Sequence, residues 1–184
     1  YALGRRGRPG SRVTLVTGDA TPLVGFARRV RAYAEAALRR ARVTVLNDQC
    51  VEVAAGHIRL AGGTHVACDV PLMAIGASAP PWLAGSGLAL CQRGFVATGP
   101  TLQSTSHPEV FAAGDVATRV DHPHPKSGVY AVRAGPPLAA NLRAAVTGGA
   151  LQPHTPQRRT LYLLSLGEQR AVASWGGWSL QGRW

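Results

Sequence analysis

A change in hydrophobic period between residues 12 and 48 restricts the fold of this chain more than any other feature. The run RVTLVTGD at 12–19 is aliphatic and β-branched and ends in a glycine turn, which indicates a buried parallel strand. From residue 25 apolar residues recur at helical spacing, and ARVTVLND at 41–48 is again strand-like. A strand, a helix and a strand in succession predict a parallel βαβ unit.

Short β-like segments follow this unit. We predict strands at 50–54, 57–61 and 64–69, where glycines between the segments indicate the turns of a small meander. PLMAIGA at 71–77 is apolar, ends near a glycine and is followed by two prolines, so it predicts one more strand. The order of elements indicates an α/β fold in which a parallel sheet with helices carries a small meander.

The second half of the chain continues the mixed pattern. Strands are predicted for GFVAT at 94–98 and, buried, for EVFAAG at 109–114. Helical spacing returns at 128–135 and at 138–146, and Pro136-Pro137 between them predicts a break between two helices. The last segment, TLYLLSLGEQRAVASW, predicts a hairpin that turns near Gly167 and Glu168.

The charge of the chain allows two interpretations. With 20 basic and 9 acidic residues the formal net charge is +11, which is typical of proteins that bind polyanions. The arginines are nevertheless spread along the chain, apart from Arg5, Arg6 and Arg8, and Lys126 is the only lysine. We expect solvated helix faces and no nucleic-acid partner, and we keep a non-catalytic basic binding module as the alternative.

Cysteine usage and hydropathy favour a cytoplasmic protein. Cys50, Cys68 and Cys91 form no C-x-x-C pair, and a small buried apolar role is expected for each. No apolar stretch is long enough to span a bilayer, so the protein is expected to be at most peripheral to a membrane. Because the chain starts at Tyr1 and its only methionine is Met73, we expect it to begin inside a longer protein.

The segment VFAAGDVA at 110–117 is the strongest candidate for a binding site. Gly114 allows a ligand to approach the backbone closely, and Asp115, just past a strand end, can accept hydrogen bonds from sugar-like hydroxyls. A helix that follows would attract phosphate at its N-terminus. The alternative is an ordinary strand-to-helix turn in which Asp115 caps the helix.

These elements, taken in order from VTLVTGD through the meander, MAIGA and RGFVAT to TLQSTSHPEVFAAGDVA, resemble the pyridine nucleotide-disulfide oxidoreductase superfamily over residues 12 to 147. The resemblance implies a partial Rossmann-like fold that binds two dinucleotides, FAD and NAD(P)H. It also implies a nucleotide-domain portion at 1–80, a flavin-domain portion at 81–148 and the start of an interface region at 149–184. HPKSGVYAVRAGPPLAANLRAAV is similar to type II NADH dehydrogenase-like proteins, in particular to the flavoprotein module fused to selenide, water dikinase.

The resemblance also implies which residues contact the cofactors. Those near NAD(P)H would be Gly76, Ala77 and Thr17. Thr17 together with Asp19 would favour NAD over NADP. The flavin would contact the turn and the helix start, through Gly114, Asp115, Val116, Ser127, Gly128 and Val129. No side-chain catalyst is implied, because the cofactor carries out the redox chemistry.

The chain departs from the family at its glycine fingerprints. G-x-G-x-x-G brings the backbone against a pyrophosphate, and neither copy is present. Gly4, Gly7 and Gly10 are wrongly spaced, and Gly85 and Gly87 are followed by a leucine where a small residue belongs. We therefore expect the chain alone to bind either dinucleotide poorly and to be inactive. A degenerate flavin-fold scaffold in a selenium-related fusion protein is a further alternative.

Two other sets of residues bear on partners. Prolines interleave His107, His122 and His124 near Asp121, and no helical i, i+4 spacing joins them, so no metal site is expected. The expected function is hydride transfer from NADH to FAD and onward to a small-molecule electron acceptor such as a quinone. A homodimer is considered, because the tryptophans near the C-terminus suit a core contact or a dimer contact better than a membrane interface.

Overall fold

The computed structural model describes residues 11–18 and 21–183. These residues form two compact units, one made of the chain up to Met73 together with the segment from Arg159 onward, the other of Ala74–Arg158. Both units combine helix with strand. The prediction of a mixed α/β protein with parallel and antiparallel sheets is confirmed.

The first unit begins with the predicted βαβ unit. Strand β1 is Thr14–Thr17, helix α1 is Arg28–Arg40 and strand β2 is Thr44–Asn47. β1 and β2 pair in parallel, with Leu15 opposite Val45. Only two strands make up this sheet among the described residues, so β1 is half-buried, where a buried strand was predicted for residues 12–19, and β2 is largely exposed.

The predicted meander follows. Strands β3, Cys50–Ala54, β4, His57–Leu60, and β5, His65–Ala67, pair antiparallel in chain order. Glu52 and Arg59 face each other across β3 and β4 in an ion pair of 2.7 Å. Tight turns at residues 55–56 and 61–64 join the strands, as the glycines there predict.

The C-terminal segment forms a sheet that packs on α1. Strands β8, Leu161–Gly167, β9, Arg170–Trp175, and β10, Trp178–Arg183, pair antiparallel in chain order. The predicted hairpin is therefore confirmed and gains a third strand. Phe26 meets Tyr162 edge to face at 5.2 Å, and α1 contacts all three strands. Val30 on α1 and Val172 on β9 are fully buried.

The second unit is organised around a parallel pair and a long helix. Strand β6 is Val96–Thr98, strand β7 is Ala117–Arg119, and Val96 lies opposite Ala117. A 3-10 helix at Pro81–Gly85 precedes them, and helix α2 is Gly128–Thr147. Buried side chains form the core of this unit, namely Leu83, Phe95, Val96, Ala97, Leu102, Ala117 and Ala134.

Three predictions about the second unit and its border are wrong. Residues 71–77 form no strand, and Ile75 is 86% exposed, because no described strand pairs with that segment. Residues 109–114 form no strand beyond one bridge from Phe111 to Gln103. The two predicted helices are one, since α2 contains both Pro136 and Pro137.

Candidate functional site

The Gly-Asp motif lies in a short 3-10 turn, Gly114–Val116, directly before β7. Gly114 has a φ of +73°, a backbone conformation that residues with side chains rarely adopt. A β-carbon at this position would lie 3.3 Å from the β-carbon of Ala131 on α2. Backbone shape and close helix packing therefore both require glycine here, and the turn is held against the first part of α2.

The carboxylate of Asp115 is available to a ligand. Asp115 is exposed, and it makes no hydrogen bond or ion pair with any residue that the structure describes. Val116 behind it is half-buried. The arrangement leaves an acceptor group at the surface directly beside a backbone that lacks a side chain, as hydroxyl recognition needs.

Helix α2 begins beside this turn without a side-chain cap. Ser127 occupies the N-cap position with extended backbone, and its side chain makes no capping hydrogen bond. The Ser127 carbonyl accepts the amides of Tyr130 at 3.0 Å and Ala131 at 3.2 Å. The amides of Gly128 and Val129 have no acceptor among the described residues, so the N-terminus of α2 can bind a negatively charged group.

Lys126 connects these two segments. Its ammonium donates to the carbonyl of Ala117 and, at 3.0 Å, to the hydroxyl of Thr118, and it lies 4.2 Å from the centre of the Phe95 ring. Burial lowers the pKa of Lys126, while the charges of Cys91 and Asp115 oppose that shift. Lys126 thereby ties the loop before α2 to the strand that follows the Gly-Asp turn.

Cys91 belongs to the same cluster. Its thiol lies 3.7 Å from the Thr118 hydroxyl. Burial raises the pKa of the Cys91 thiol, but its hydrogen bonds with the Thr118 side chain and with the backbone of Arg93 and Phe95, together with the charge of Lys126, bring that pKa below its ordinary value. Cys91 is half-buried and hydrogen-bonded, so the expected apolar role does not describe it.

A buried arginine fixes the far end of β7. Arg119 is 4% exposed and forms a two-pronged pair with Asp121, at 2.9 and 2.8 Å. Its third nitrogen donates to the carbonyl of His154 at 2.6 Å. The Arg119 hydrogen bonds lower the pKa of Asp121. Burial lowers the pKa of His154, and the charges of Arg119 and His124 act in the same direction.

A small cavity of about 20 Å³ lies behind the Gly-Asp turn, which is room for about one water molecule. A dinucleotide is far too large for it, so any such ligand must bind on the open side, where Asp115 and the start of α2 are accessible. The cavity is lined by Thr98, Leu102, Ala112, Ala113, Gly114, Ala117, Arg119, His124, Tyr130, Ala134 and His154.

The remaining predicted site residues, Gly76, Ala77 and Thr17, belong to other segments of the chain. Gly76 has a φ of +83° and is exposed in an irregular segment, with Ala77 half-buried beside it. Thr17 ends β1 in the first unit, opposite Asn47. Asp19 and the basic run Arg5, Arg6 and Arg8 lie outside the residues that the structure describes.

Other predicted features concern metals, cysteines and membranes. Within residues 11–18 and 21–183, no group of three His, Cys, Asp or Glu side chains is placed to hold a metal ion. Cys50 is exposed, so the small buried apolar role that was expected does not describe it, and Cys68 is half-buried. The described helices include none with the length and apolar character that a bilayer crossing requires.

Sequence reasoning missed the residues that shape this site from a distance. Along the chain, Lys126 is 8 positions from Thr118, and Thr118 is 27 positions from Cys91. No local sequence pattern connects residues at these separations. Asn141, buried in α2, donates to the carbonyls of Thr101 and Gln152 and accepts the Gln152 amide. One sequence feature did point to Lys126, which is the only lysine beside 19 arginines.

The family model for Pyridine nucleotide-disulphide oxidoreductase matches residues 5–135, more than two thirds of the chain. The chain belongs to this family. The superfamily resemblance predicted from its motifs is thus confirmed, and so is the partial Rossmann-like oxidoreductase fold. The match includes the Gly114–Val116 turn and the first part of α2, so the candidate site lies within the family domain.

Solved structures with the same fold include three oxidoreductases. Reduced Bacillus anthracis CoADR-RHD is 22% identical with a TM-score of 0.72, and the match covers 95% of this chain and 31% of that protein's chain. A FAD-dependent pyridine nucleotide-disulphide oxidoreductase from Desulfovibrio vulgaris is 21% identical with a TM-score of 0.68, covering 87% and 41%. An engineered water-forming NADPH oxidase (TPNOX) bound to NADPH, a mutant of LbNOX, is 22% identical with a TM-score of 0.63, covering 89% and 37%.

This member of the family therefore spans between 31% and 41% of the length of these structures. At such identities the likeness shows the fold alone. What the family member binds and does must be argued from its own residues.

Proposed function

We propose that this chain supplies part of the FAD-binding and NAD(P)H-binding framework of an oxidoreductase. Family membership supports this function, as do two neighbours of the same fold, one described as FAD-dependent and one bound to NADPH. FAD, when bound, accepts hydride from NAD(P)H and passes electrons to an acceptor. The protein's part is to bind and orient the two cofactors.

One observation carries the proposal, namely the packing of the Gly114–Val116 turn against the start of α2. It leaves the carboxylate of Asp115 and the amides of Gly128 and Val129 accessible in the same unit. Asp115 would accept hydrogen bonds from flavin hydroxyls, and the helix amides would stabilise negative charge on the reduced flavin ring. These residue types fit the chemistry of the group.

The finer assignments are proposals of the same kind. Gly76 and Ala77 would lie near NAD(P)H, and Thr17 at the end of β1 would face the ribose, with NADH as the expected donor. A small molecule such as a quinone would be the acceptor. The amino-acid sequence of residues 124–146 supports a type II NADH dehydrogenase-like protein, similar to the flavoprotein module fused to selenide, water dikinase. In that assignment residues 1–80 serve the nucleotide, 81–148 serve the flavin and 149–184 begin an interface region.

The experiment is to express a polypeptide that contains this chain together with the glycine fingerprints of the family. We expect a yellow protein whose visible flavin absorbance is bleached by NADH. Asp115→Ala should weaken FAD retention roughly tenfold or more, since a hydrogen-bonding charged acceptor is lost. Glu109→Ala removes another exposed carboxylate of the same unit and should leave retention unchanged.

Two results would defeat the proposal. One is a folded protein that contains both fingerprints, is colourless and takes up no FAD. The other is equal FAD retention by Asp115→Ala and the unsubstituted protein. FAD binding without any bleaching by NADH or NADPH would instead favour the degenerate flavin-fold scaffold.

A further inference from the structure

A single side chain joins the two segments that make up the proposed flavin site. Lys126 stands immediately before Ser127, where α2 begins, and its ammonium donates to the carbonyl of Ala117, directly after the Gly114–Val116 turn. A second hydrogen bond, of 3.0 Å, goes to the Thr118 hydroxyl. The lysine thus crosses from the start of the helix to the end of the turn.

The position of this ammonium is well defined on its other sides. The Phe95 ring lies 4.2 Å below it, at a distance where the face of an aromatic ring attracts a cation, and Phe95 is 1% exposed. The Cys91 thiol approaches the same Thr118 hydroxyl at 3.7 Å. The charge of Asp115 also acts on the ammonium, in the direction that raises the pKa of Lys126, against the effect of burial.

We propose that Lys126 is a positioning residue, which holds the Gly114–Val116 turn and the start of α2 in the one arrangement that retains FAD. This inference rests on the proposed function, because it presumes that Asp115 and the amides of Gly128 and Val129 bind the flavin. Lys126 acts through these groups. Its charge is anchored by the Ala117 carbonyl and the Phe95 ring, so the carboxylate of Asp115 stays free to accept hydrogen bonds from the ligand.

The arrangement also explains the one lysine of the chain. An ammonium has three donors on a compact head, and here two of them are used by Ala117 and Thr118 above an aromatic face. A planar guanidinium, which stands at the other 19 basic positions, is larger and spreads its donors differently. The space between Phe95 and β7 therefore suits lysine.

The test compares the Lys126→Met variant with the unsubstituted protein by two measurements. Both use the polypeptide that contains this chain together with the glycine fingerprints of the family. The first is FAD affinity, measured by the change in flavin fluorescence, which should fall roughly tenfold. The second is the alkylation rate of Cys91 by iodoacetamide near neutral pH, resolved by mass spectrometry. Loss of the nearby positive charge leaves less thiolate, so this rate should fall several-fold, whereas the rates at Cys50 and Cys68 should not change.

Two variants serve as matched controls. Arg93→Met removes another cation near the Phe95 ring, 5.4 Å from its centre, and should leave FAD affinity unchanged. Lys126→Arg keeps the positive charge and should restore most of the Cys91 reactivity and part of the FAD affinity. If Lys126→Met fails to fold, Thr118→Val removes the hydroxyl shared by Lys126 and Cys91, and should lower both readouts in its place.

The outcomes separate this inference from the proposed function. If Lys126→Met alters neither readout, the contact has no consequence and the inference is wrong. A slower Cys91 reaction with unchanged FAD affinity would also overturn it, while FAD binding itself would stand. An unsubstituted protein that takes up no FAD would defeat the proposed function and this inference together, and the Cys91 rates would still show whether the cluster forms.

Discussion

Gly114 lies so close to Ala131 that a β-carbon on residue 114 would stand 3.3 Å from the β-carbon of Ala131. Residue 114 also has a φ of +73°. Gly114→Ala should therefore destabilise the second unit by about 1–3 kcal/mol, through backbone strain and the displacement of α2.

Chemical denaturation followed by circular dichroism measures this effect. Gly135→Ala is the matched control, since Gly135 lies within α2, has no positive φ, and a β-carbon there would meet no atom within 4 Å outside its chain neighbours and the backbone of the helix. That change should alter stability by less than about 1 kcal/mol, because the gain in helix propensity is opposed by contact between the new β-carbon and the ring of Pro136. Equal effects of the two substitutions would show that neither the positive φ of Gly114 nor its contact with Ala131 constrains residue 114.

Asn141 should be a stability residue. Its side chain is 1% exposed and makes three hydrogen bonds, one with the carbonyl of Thr101 and two with the backbone of Gln152. Asn141→Ala leaves these part-buried backbone groups without their partners and should cost about 1–3 kcal/mol. Leu142→Ala, at the neighbouring half-exposed position, should cost much less in the same denaturation experiment. If Asn141→Ala lowers the free energy of unfolding by less than Leu142→Ala does, Asn141 does not bridge the two segments.

His154 should make stability depend on pH. Burial, with the charges of Arg119 and His124, lowers its pKa below the ordinary value of about 6.5. On acidification through the window between these two values, the unfolded chain takes up a proton that the folded protein resists. Stability should therefore fall as pH falls, and be fully present above about pH 6.5.

Proton NMR gives the titration midpoint of His154, and denaturation at several pH values gives the slope. His154→Gln should flatten the dependence of stability on pH in that window. A His154 midpoint at or above the ordinary value would refute the burial argument.

The outer face of the C-terminal sheet should tolerate polar substitution. Trp178 is 80% and Leu180 71% exposed, whereas Val172 on the opposite face is fully buried. Trp178→Ser and Leu180→Thr should change the free energy of unfolding by less than about 0.5 kcal/mol and reduce the binding of a hydrophobic dye. Val172→Ala should cost about 1–2.5 kcal/mol. A large loss with Trp178→Ser would mean that this face is covered.

The sequence was sufficient to predict elements whose partners are adjacent along the chain. The βαβ unit, the meander and the C-terminal hairpin follow from a change of hydrophobic period and from glycine turns, both of which are local. Gly114 was also recognisable, because a glycine before an acidic residue stands out after an apolar run.

Elements that depend on distant partners could not be predicted in this way. Residues 71–77 and 109–114 have strand-like composition, but a strand forms only where another strand supplies hydrogen bonds, and composition does not reveal that partner. Pro136 and Pro137 were expected to end a helix. The carbonyls that lose amide partners there belong to Val132 and Arg133, which are exposed, so water can satisfy them and α2 continues.

Only part of the candidate site could be predicted from the sequence, for the same reason. Asp115 and Ser127 belong to recognisable motifs, whereas the cluster of Cys91, Thr118 and Lys126 exists only because β7 brings three separate segments together. Side-chain contacts between such segments carry no periodic pattern. Only the structure identifies them.

Because residue 126 carries the only side-chain amine of this chain, an amine-selective acylating reagent has one side-chain target. That amine is hydrogen-bonded to β7 and lies over the Phe95 ring, so it should react more slowly while this contact is closed than when it opens. The rate at which the protein gains the mass of one acyl group at Lys126 therefore reports local opening beside the Gly-Asp turn. The native sequence already contains its own probe for this movement, and added FAD should slow the labelling.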